Sequence, residues 1–192
     1  MTLYGIRYRI KSARLANWDY STPAYYFVTI CTNNRRCFFG QIEDGTMVLS
    51  MAGKLAHEEW RNVTDGREDV KLDEFIIMPN HMHAIVILRQ TSVETHLRGV
   101  STRSASEPTC LSSLIRQFKS STTRLVWAAG LSSFGWQSRF HDRIIRSDRS
   151  LEATRQYVVD NPLKWELDRE NPRFLKPSGR RPSARSRRQQ KR

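Results

Sequence analysis

The sequence predicts an α+β sandwich, in which an antiparallel sheet has helices packed on it. β-Prone runs and amphipathic helical segments alternate along the chain in the order β, hairpin, α, ββ, α, β, α. The 192 residues fit a single domain with an appended segment, and this length is sufficient to bury a core.

The first half of the chain carries three local signals. Residues 25–30 form a strongly β-prone run and are expected to be a central strand. Residues 35–49 are typical of a hairpin around Asp44-Gly45, a pair that two-residue turns favour. Residues 51–60 have helical character.

The second half is expected to contain a strand pair and two helices around a short strand. Apolar runs on both sides of Pro79-Asn80 predict two paired strands joined by a tight turn. Apolar residues recur at spacings of three and four between residues 111 and 126, which is the pattern of an amphipathic helix. Residues 140–145 are expected to be a short strand, and residues 149–160 a helix capped by Ser147-Asp148.

The charge of the chain favours a polyanionic partner. Lys and Arg number 32 against 19 Asp and Glu, a net charge of +13, and such an excess is typical of nucleic-acid binding. The alternatives are a chain kept soluble by charge and a ribosome-bound protein. Residues 173–192 hold nine basic residues and no acid, so a disordered tail is expected there. Residues 91–108 lack periodicity and are expected to be a long flexible loop.

The expected location is the cytoplasm. Cys31, Cys37 and Cys110 are odd in number and lack metal-type spacing, as is usual for reduced thiols. Residues 1–11 contain no apolar core of a signal peptide. No apolar run approaches the roughly 18 residues that a membrane helix needs, so no membrane association is expected.

His81 and His83 are the first candidates for chemistry. On a strand that starts at residue 81, both imidazoles point to one face and Met82 to the other, so the pair can hold one ion. The alternative is two satisfied, partly buried histidines. Tyr157 and Asn161 are four residues apart on the final helix and share a face.

A metal ion on two imidazoles needs at least one further ligand. The carbonyl oxygen of Asn161 would suit Mg²⁺ or Mn²⁺. Tyr157 would then lie near the group that the ion polarises, and a tyrosine hydroxyl there can attack a phosphodiester and form a phosphotyrosine. The alternative is that Tyr157 packs in the core and Asn161 only caps the helix.

Four stretches occur in an order that resembles a known superfamily. They are Tyr-Tyr-Phe-Val-Thr-Ile-Cys-Thr at 25–32, Met-Pro-Asn-His-Met-His at 78–83, Trp-Gln-Ser-Arg-Phe-His-Asp at 136–142 and Tyr-Val-Val-Asp-Asn-Pro-Leu at 157–163. The chain looks like a single-tyrosine HUH transposase, and more closely like the REP-associated tyrosine transposases. The resemblance spans roughly residues 20 to 165.

The resemblance implies a ferredoxin-like fold and metal-dependent cleavage and rejoining of single-stranded or hairpin DNA, in a bacterial-type, nucleoid-associated protein. It implies that His81, His83 and Asn161 bind Mg²⁺ or Mn²⁺. It also implies that Tyr157 is the nucleophile, which keeps the 5′-phosphate and frees a 3′-hydroxyl. The REP-associated branch suggests a monomer and the insertion-sequence enzymes a homodimer, and the sequence leaves both open.

DNA contacts are expected from two parts of the chain. The motif before the final helix offers Trp136, Gln137, Arg139 and Arg143. The tail offers Arg180, Arg181, Arg187 and Arg188. Arg143 stands where relatives often carry His, and the alternative for Trp136 is that it only packs.

The expected organisation is an N-terminal extension over residues 1–19, an HUH-type domain over 20–168 and the tail over 169–192. Two alternatives to an enzyme stay open. One is a module of the same fold that binds single-stranded DNA without turnover. The other is an RNA-binding protein that uses an exposed sheet and the basic tail.

Overall fold

The computed structural model describes residues 18–90, 109–168 and 170–174. The strands are β1 (Ala24–Cys31), β2 (Gly40–Glu43), β3 (Thr46–Leu49), β4 (Val70–Ile77), β5 (His81–Leu88) and β6 (His141–Ile145). The helices are α1 (Met51–Asn62), α2 (Leu111–Ala128) and α3 (Asp148–Val159), and a 3₁₀ segment, Pro162–Leu167, follows α3. Each predicted element is present, and most bounds differ by one or two residues, whereas the hairpin expected from residue 35 begins at Gly40.

Four strands form one antiparallel sheet in the order β4-β5-β1-β6. With α1 between β1 and β4, and α2 between β5 and β6, the sheet has the βαββαβ order of a ferredoxin-like fold, as predicted. The β2–β3 hairpin is inserted before α1. Asp44 and Gly45 turn it with φ of 47° and 74°, the left-handed pair that a two-residue turn requires.

One face of the sheet builds the main core. Even-numbered side chains of β1 and β5, such as Tyr26, Val28 and Met82, are fully buried in the cluster that includes α1 and α2. Between these helices Trp60 and Phe118 meet edge to face, with ring centroids 4.9 Å apart. Burial of a large apolar side chain stabilises by about 1.5–3 kcal/mol. This face therefore fixes the strand register, on which the arrangement of the other face depends.

The opposite face carries the histidines. Odd-numbered side chains of β1 and β5, among them Thr29, His81 and His83, lie on the side where α3 packs, as the predicted alternation requires. A small apolar cluster holds α3 against this face. Its members are Phe27, Ile85, Ile145 and Leu151. This cluster is much smaller than the main core, so polar side chains find room beside it.

An ion pair adds to the attachment of α3. Arg155 donates to the carboxylate of Asp73, with 2.7 Å from Nη2 to Oδ2 and 3.1 Å from Nε to Oδ1. Asp73 lies where the register of β4 shifts between Leu72 and Phe75. Such a bulge re-aims a side chain, and here it gives the helix an anchor on β4.

We expect Asp73→Asn to lower Tm at pH 7 by roughly 2–4 °C. The hydrogen bond from Arg155 holds the pKa of Asp73 below its ordinary value. The stabilisation is therefore present above the unfolded-state pKa of about 3.9 and is lost as the pH falls through the folded-state pKa. Thermal melts across pH 3 to 7 should show the difference between variant and wild type shrinking toward the acid end. A constant difference would assign the loss to packing instead.

Several predicted features fall outside the described residues. They are the N-terminal extension up to residue 17, the loop at 91–108, and the tail from 175 with Arg180, Arg181, Arg187 and Arg188. Residues 170–174, beyond the boundary expected at residue 168, belong to the described fold, and Asn171 among them is buried. Each helix in the described ranges is too short or too polar to cross a lipid bilayer.

Candidate metal and tyrosine site

Two buried histidines stand side by side at the start of β5. His81 pairs with Cys31 and His83 with Thr29 of β1, and the two side chains are 0% and 4% exposed. Their Nε2 atoms lie 3.1 Å apart. Burial lowers the pKa of His83 to about 4, and burial together with His83 lowers the pKa of His81 far below its ordinary value. Both rings are therefore neutral at neutral pH, which is the form that binds metals.

Each histidine is held by a second residue through its other ring nitrogen. Nδ1 of His81 lies 2.9 Å from Oδ1 of Asn80, and Nδ1 of His83 lies 2.9 Å from Oγ1 of Thr29. An amide oxygen only accepts, so His81 carries its proton on Nδ1 and has a lone pair on Nε2. Partners of this kind orient the ligands of metal sites.

Asp168 joins the two histidines, although no local pattern in the sequence points to it. Its Oδ2 atom is 3.8 Å from Nε2 of His81, and one ligand atom from each of the three residues lies within 4.8 Å of the others. Burial raises the pKa of Asp168. Two imidazoles and a carboxylate form a donor set that divalent cations such as Mn²⁺ accept.

Tyr157 lies beside the histidines at the mouth of a cavity. Its hydroxyl is 3.3 Å from Nε2 of His83, and its ring meets Phe27 edge to face at 5.9 Å. The side chain is 41% exposed, so it is not a core residue. Burial of the remainder, with the Asp168 carboxylate acting in the same direction, raises its pKa. The resting form is therefore the neutral phenol.

Asn161 shares the face of Tyr157, as its spacing predicted. It follows α3 with helical φ and ψ of −58° and −40°, and its side chain makes no capping hydrogen bond. Asn161 is 2% exposed, and its Oδ1 has no hydrogen-bond partner among the described residues. An unpaired buried acceptor costs about 1–3 kcal/mol. Because Asn161 lines the same cavity as His83, Tyr157 and Asp168, this oxygen is suited to a ligand there.

The cavity extends as a groove along β6. The part at the site has a volume of about 520 Å³. A second part of about 310 Å³ shares Phe27, Thr29, His141 and Tyr157 with it. A third of about 400 Å³ shares Asp142 and Arg143 with the second and reaches Arg146. The exposed Arg143 lies over the Phe27 ring at 5.6 Å and donates to Thr154.

The other residues of the predicted DNA-binding motif are less closely linked to this groove. The Trp136 ring packs against Phe39, Phe118 and Phe134, and its N–H donates to the Lys119 carbonyl, as the packing alternative expected. Gln137 bridges β1 and α2 through its backbone. Its N–H donates to the backbone carbonyl of Cys31, and its carbonyl accepts from Nζ of Lys119. Arg139 is exposed. Contact of these residues with DNA stays a prediction.

Comparison with known proteins identifies relatives of this chain. No protein-family model matches it. An uncharacterized protein of Haemophilus influenzae is 33% identical over 171 residues, an alignment that covers 85% of this chain and 93% of that protein. The structure of a REP-associated tyrosine transposase bound to a REP hairpin superposes with a TM-score of 0.53 and 21% identity, over 85% of this chain and 74% of the other. The resemblance predicted from the sequence motifs is confirmed at the level of the fold.

Proposed function

We propose that this chain, which belongs to the same family as the Haemophilus influenzae protein and has the fold of a REP-associated tyrosine transposase, is a DNA-processing enzyme. Its reaction is metal-dependent cleavage and rejoining of single-stranded or hairpin DNA through Tyr157. One observation carries the proposal: the hydroxyl of Tyr157, a residue that is 41% exposed, lies 3.3 Å from His83, which forms a group of three potential metal ligands with His81 and Asp168.

The residues that would hold Mg²⁺ or Mn²⁺ are His81, His83 and Asp168, with Asn161 as a further oxygen ligand. The fit is supported by the fixed lone pair of His81, the grouping of three ligand atoms within 4.8 Å, and the unpartnered Oδ1 of Asn161. A divalent ion, when bound, polarises a phosphodiester oxygen and offsets the charge that develops during phosphoryl transfer.

Tyr157 carries the covalent step. Its phenolic oxygen attacks the phosphorus and loses its proton to solvent, and the bond from phosphorus to the 3′-oxygen breaks. The 5′-phosphate is then held as a phosphotyrosine ester, and the 3′-oxygen takes up a proton and leaves as a hydroxyl. Rejoining is the reverse, in which a 3′-hydroxyl attacks the ester and returns the phenol. Tyr157 is exposed and lines the groove, so a strand bound there would lie against it.

Single-stranded DNA is the substrate that this groove suits. The exposed imidazole of His141 lines it as a platform for a base, and Arg143 and Arg146 offer charge for phosphates. Stacking of bases on aromatic rings combined with a basic track is the usual recognition of single strands. The net charge of +13 supports the same partner.

Covalent trapping tests the proposal. A labelled hairpin with single-stranded arms, taken from the DNA around the gene, is incubated with protein and Mn²⁺ and run on a denaturing gel. We expect a labelled band at the mass of the protein plus the 5′-phosphorylated product strand. Binding in native gels without any covalent band would instead support the module that binds DNA without turnover.

Removal of residues 175–192 should weaken binding to all DNA sequences about equally. This segment contains eight Lys and Arg residues and no acid. Each phosphate neutralised on a single strand adds about 0.7 to the magnitude of the slope of log K against log salt. If half of these charges engage DNA, the truncation should reduce that magnitude by about 3. Binding constants for matched and scrambled hairpins at several salt concentrations measure this. A truncation that removes discrimination between hairpins but leaves the slope unchanged would show that the tail recognises sequence.

A further inference from the structure

Asn80 connects three parts of the chain at the back of the metal site. It is fully buried. Its Nδ2 donates to the carbonyls of Arg35 and Glu170, at 2.9 and 2.6 Å. Its Oδ1 lies 2.9 Å from Nδ1 of His81. Every polar atom of the amide is therefore used, and each bond goes to a different segment.

The two carbonyls determine which way the amide faces. Backbone carbonyls only accept hydrogen bonds, so the group that meets Arg35 and Glu170 must be the NH₂. The oxygen must then face His81, and it can only accept from Nδ1–H. A flipped amide would set an oxygen against two carbonyls and an NH₂ against the imidazole N–H. The proton of His81 is thus held on Nδ1, and Nε2 carries a lone pair on the side of His83 and Asp168.

The Asn80 side chain also holds the segment that carries Asp168, through its hydrogen bond to the Glu170 carbonyl. The Glu170 N–H donates to Oδ1 of Asp168 at 2.7 Å, and the Glu170 carboxylate pairs with Arg35 at 2.6 Å. Arg35 itself has a φ of 53°, a left-handed conformation that a non-glycine residue adopts at some cost. The bond from Asn80 to its carbonyl helps to hold it there.

We infer that Asn80 is a positioning residue that builds the metal site through both the oxygen and the NH₂ group of its amide. Its oxygen selects the tautomer of His81 that presents Nε2 to the ion, and its NH₂ group holds the segment that brings Asp168 to the same ion. The inference rests on the proposed function, because it assumes that His81 and Asp168 bind a metal. The ligand class is a divalent cation, and Mn²⁺ serves as the probe.

Two variants separate the contribution of the amide oxygen from that of the NH₂ group. Asn80→Asp keeps an acceptor for His81 but loses both donors, whereas Asn80→Ala loses all three bonds. We expect both to raise the Kd for Mn²⁺, measured by calorimetry on the full chain without DNA, by about 10–100-fold. Long-range ¹H–¹⁵N NMR spectra of the metal-free protein should show the Nδ1–H tautomer of His81 in wild type and in Asn80→Asp, and a shift toward Nε2–H in Asn80→Ala. Asn171→Ala, which removes another buried amide of the same segment, should leave the tautomer unchanged.

The outcomes distinguish this inference from the proposed function. An Nε2–H tautomer in wild type would overturn the inference without any variant, even where Asn80→Ala fails to fold. Unchanged Mn²⁺ affinity in both variants, in a protein that still cleaves DNA, would overturn it and leave the proposed function standing. Failure of the wild type to bind Mn²⁺ would overturn the metal site and with it the inference.

Discussion

Tyr157→Phe is expected to abolish the covalent protein–DNA adduct and to slow single-turnover cleavage by on the order of 10⁶-fold, the scale seen when a catalytic nucleophile is removed. The substitution deletes one hydroxyl and keeps the ring, so the edge-to-face contact with Phe27 and the contact with His83 persist. Fold and DNA affinity should therefore survive. Denaturing gels with a labelled hairpin and Mn²⁺ measure the adduct, and native gels measure binding.

Tyr25→Phe is the matched control. Tyr25 is 38% exposed, close to the 41% of Tyr157, and it lies on β1 at a position of the same parity as Phe27. This variant should cleave like wild type. Tyr26 is a poor alternative nucleophile because it is buried and its hydroxyl donates to the Thr22 carbonyl. A covalent adduct that persists in Tyr157→Phe would contradict the assignment, and Tyr25 would be tested next.

The parts of the site that the sequence predicted are those that follow from local periodicity. Alternation along one strand is enough to set His81 and His83 on a common face. Helical spacing is enough to align Tyr157 with Asn161, and it holds because Asp160 and Asn161 keep helical φ and ψ beyond the end of α3. In both cases the relevant residues lie within a few positions of each other along the chain, so no tertiary information is needed.

The parts that could not be predicted depend on contacts between distant segments. Asp168 reaches His81 only because the chain after the 3₁₀ segment returns to the sheet. In the sequence it is one of three acids at alternate positions, with Glu166 and Glu170, and no periodic signal singles it out. The sequence predicts that Asn80 is a turn residue, which it is, but its amide also donates to backbone carbonyls 45 and 90 residues away. Trp136 is a further example. Its contact with DNA stays a prediction, and its ring packs against the neighbouring Phe134 and against Phe39 and Phe118, which are distant in the sequence.

The variant with both His81→Ala and His83→Ala is expected to lose Mn²⁺ binding. Its rate of DNA cleavage is expected to fall by a factor on the order of 10³ or more. Both imidazoles are neutral and buried, so the substitution removes ligands without changing the net charge that attracts DNA. Phosphate contacts elsewhere carry binding, and we expect affinity for a hairpin to stay within about threefold of wild type.

Calorimetry with Mn²⁺, single-turnover cleavage and native gels measure the three expected effects of this variant. His57→Ala is the control, since His57 lies on α1 against Phe75 and outside the metal cluster. Cleavage by wild type should stop in chelator and return with Mg²⁺ or Mn²⁺, whereas the double variant should not respond to either ion. Wild-type cleavage by the double variant would contradict the metal site, because no other group of three potential ligands occurs among the described residues. If the double variant loses both DNA binding and cleavage, the two histidines support the fold of the groove and not the reaction.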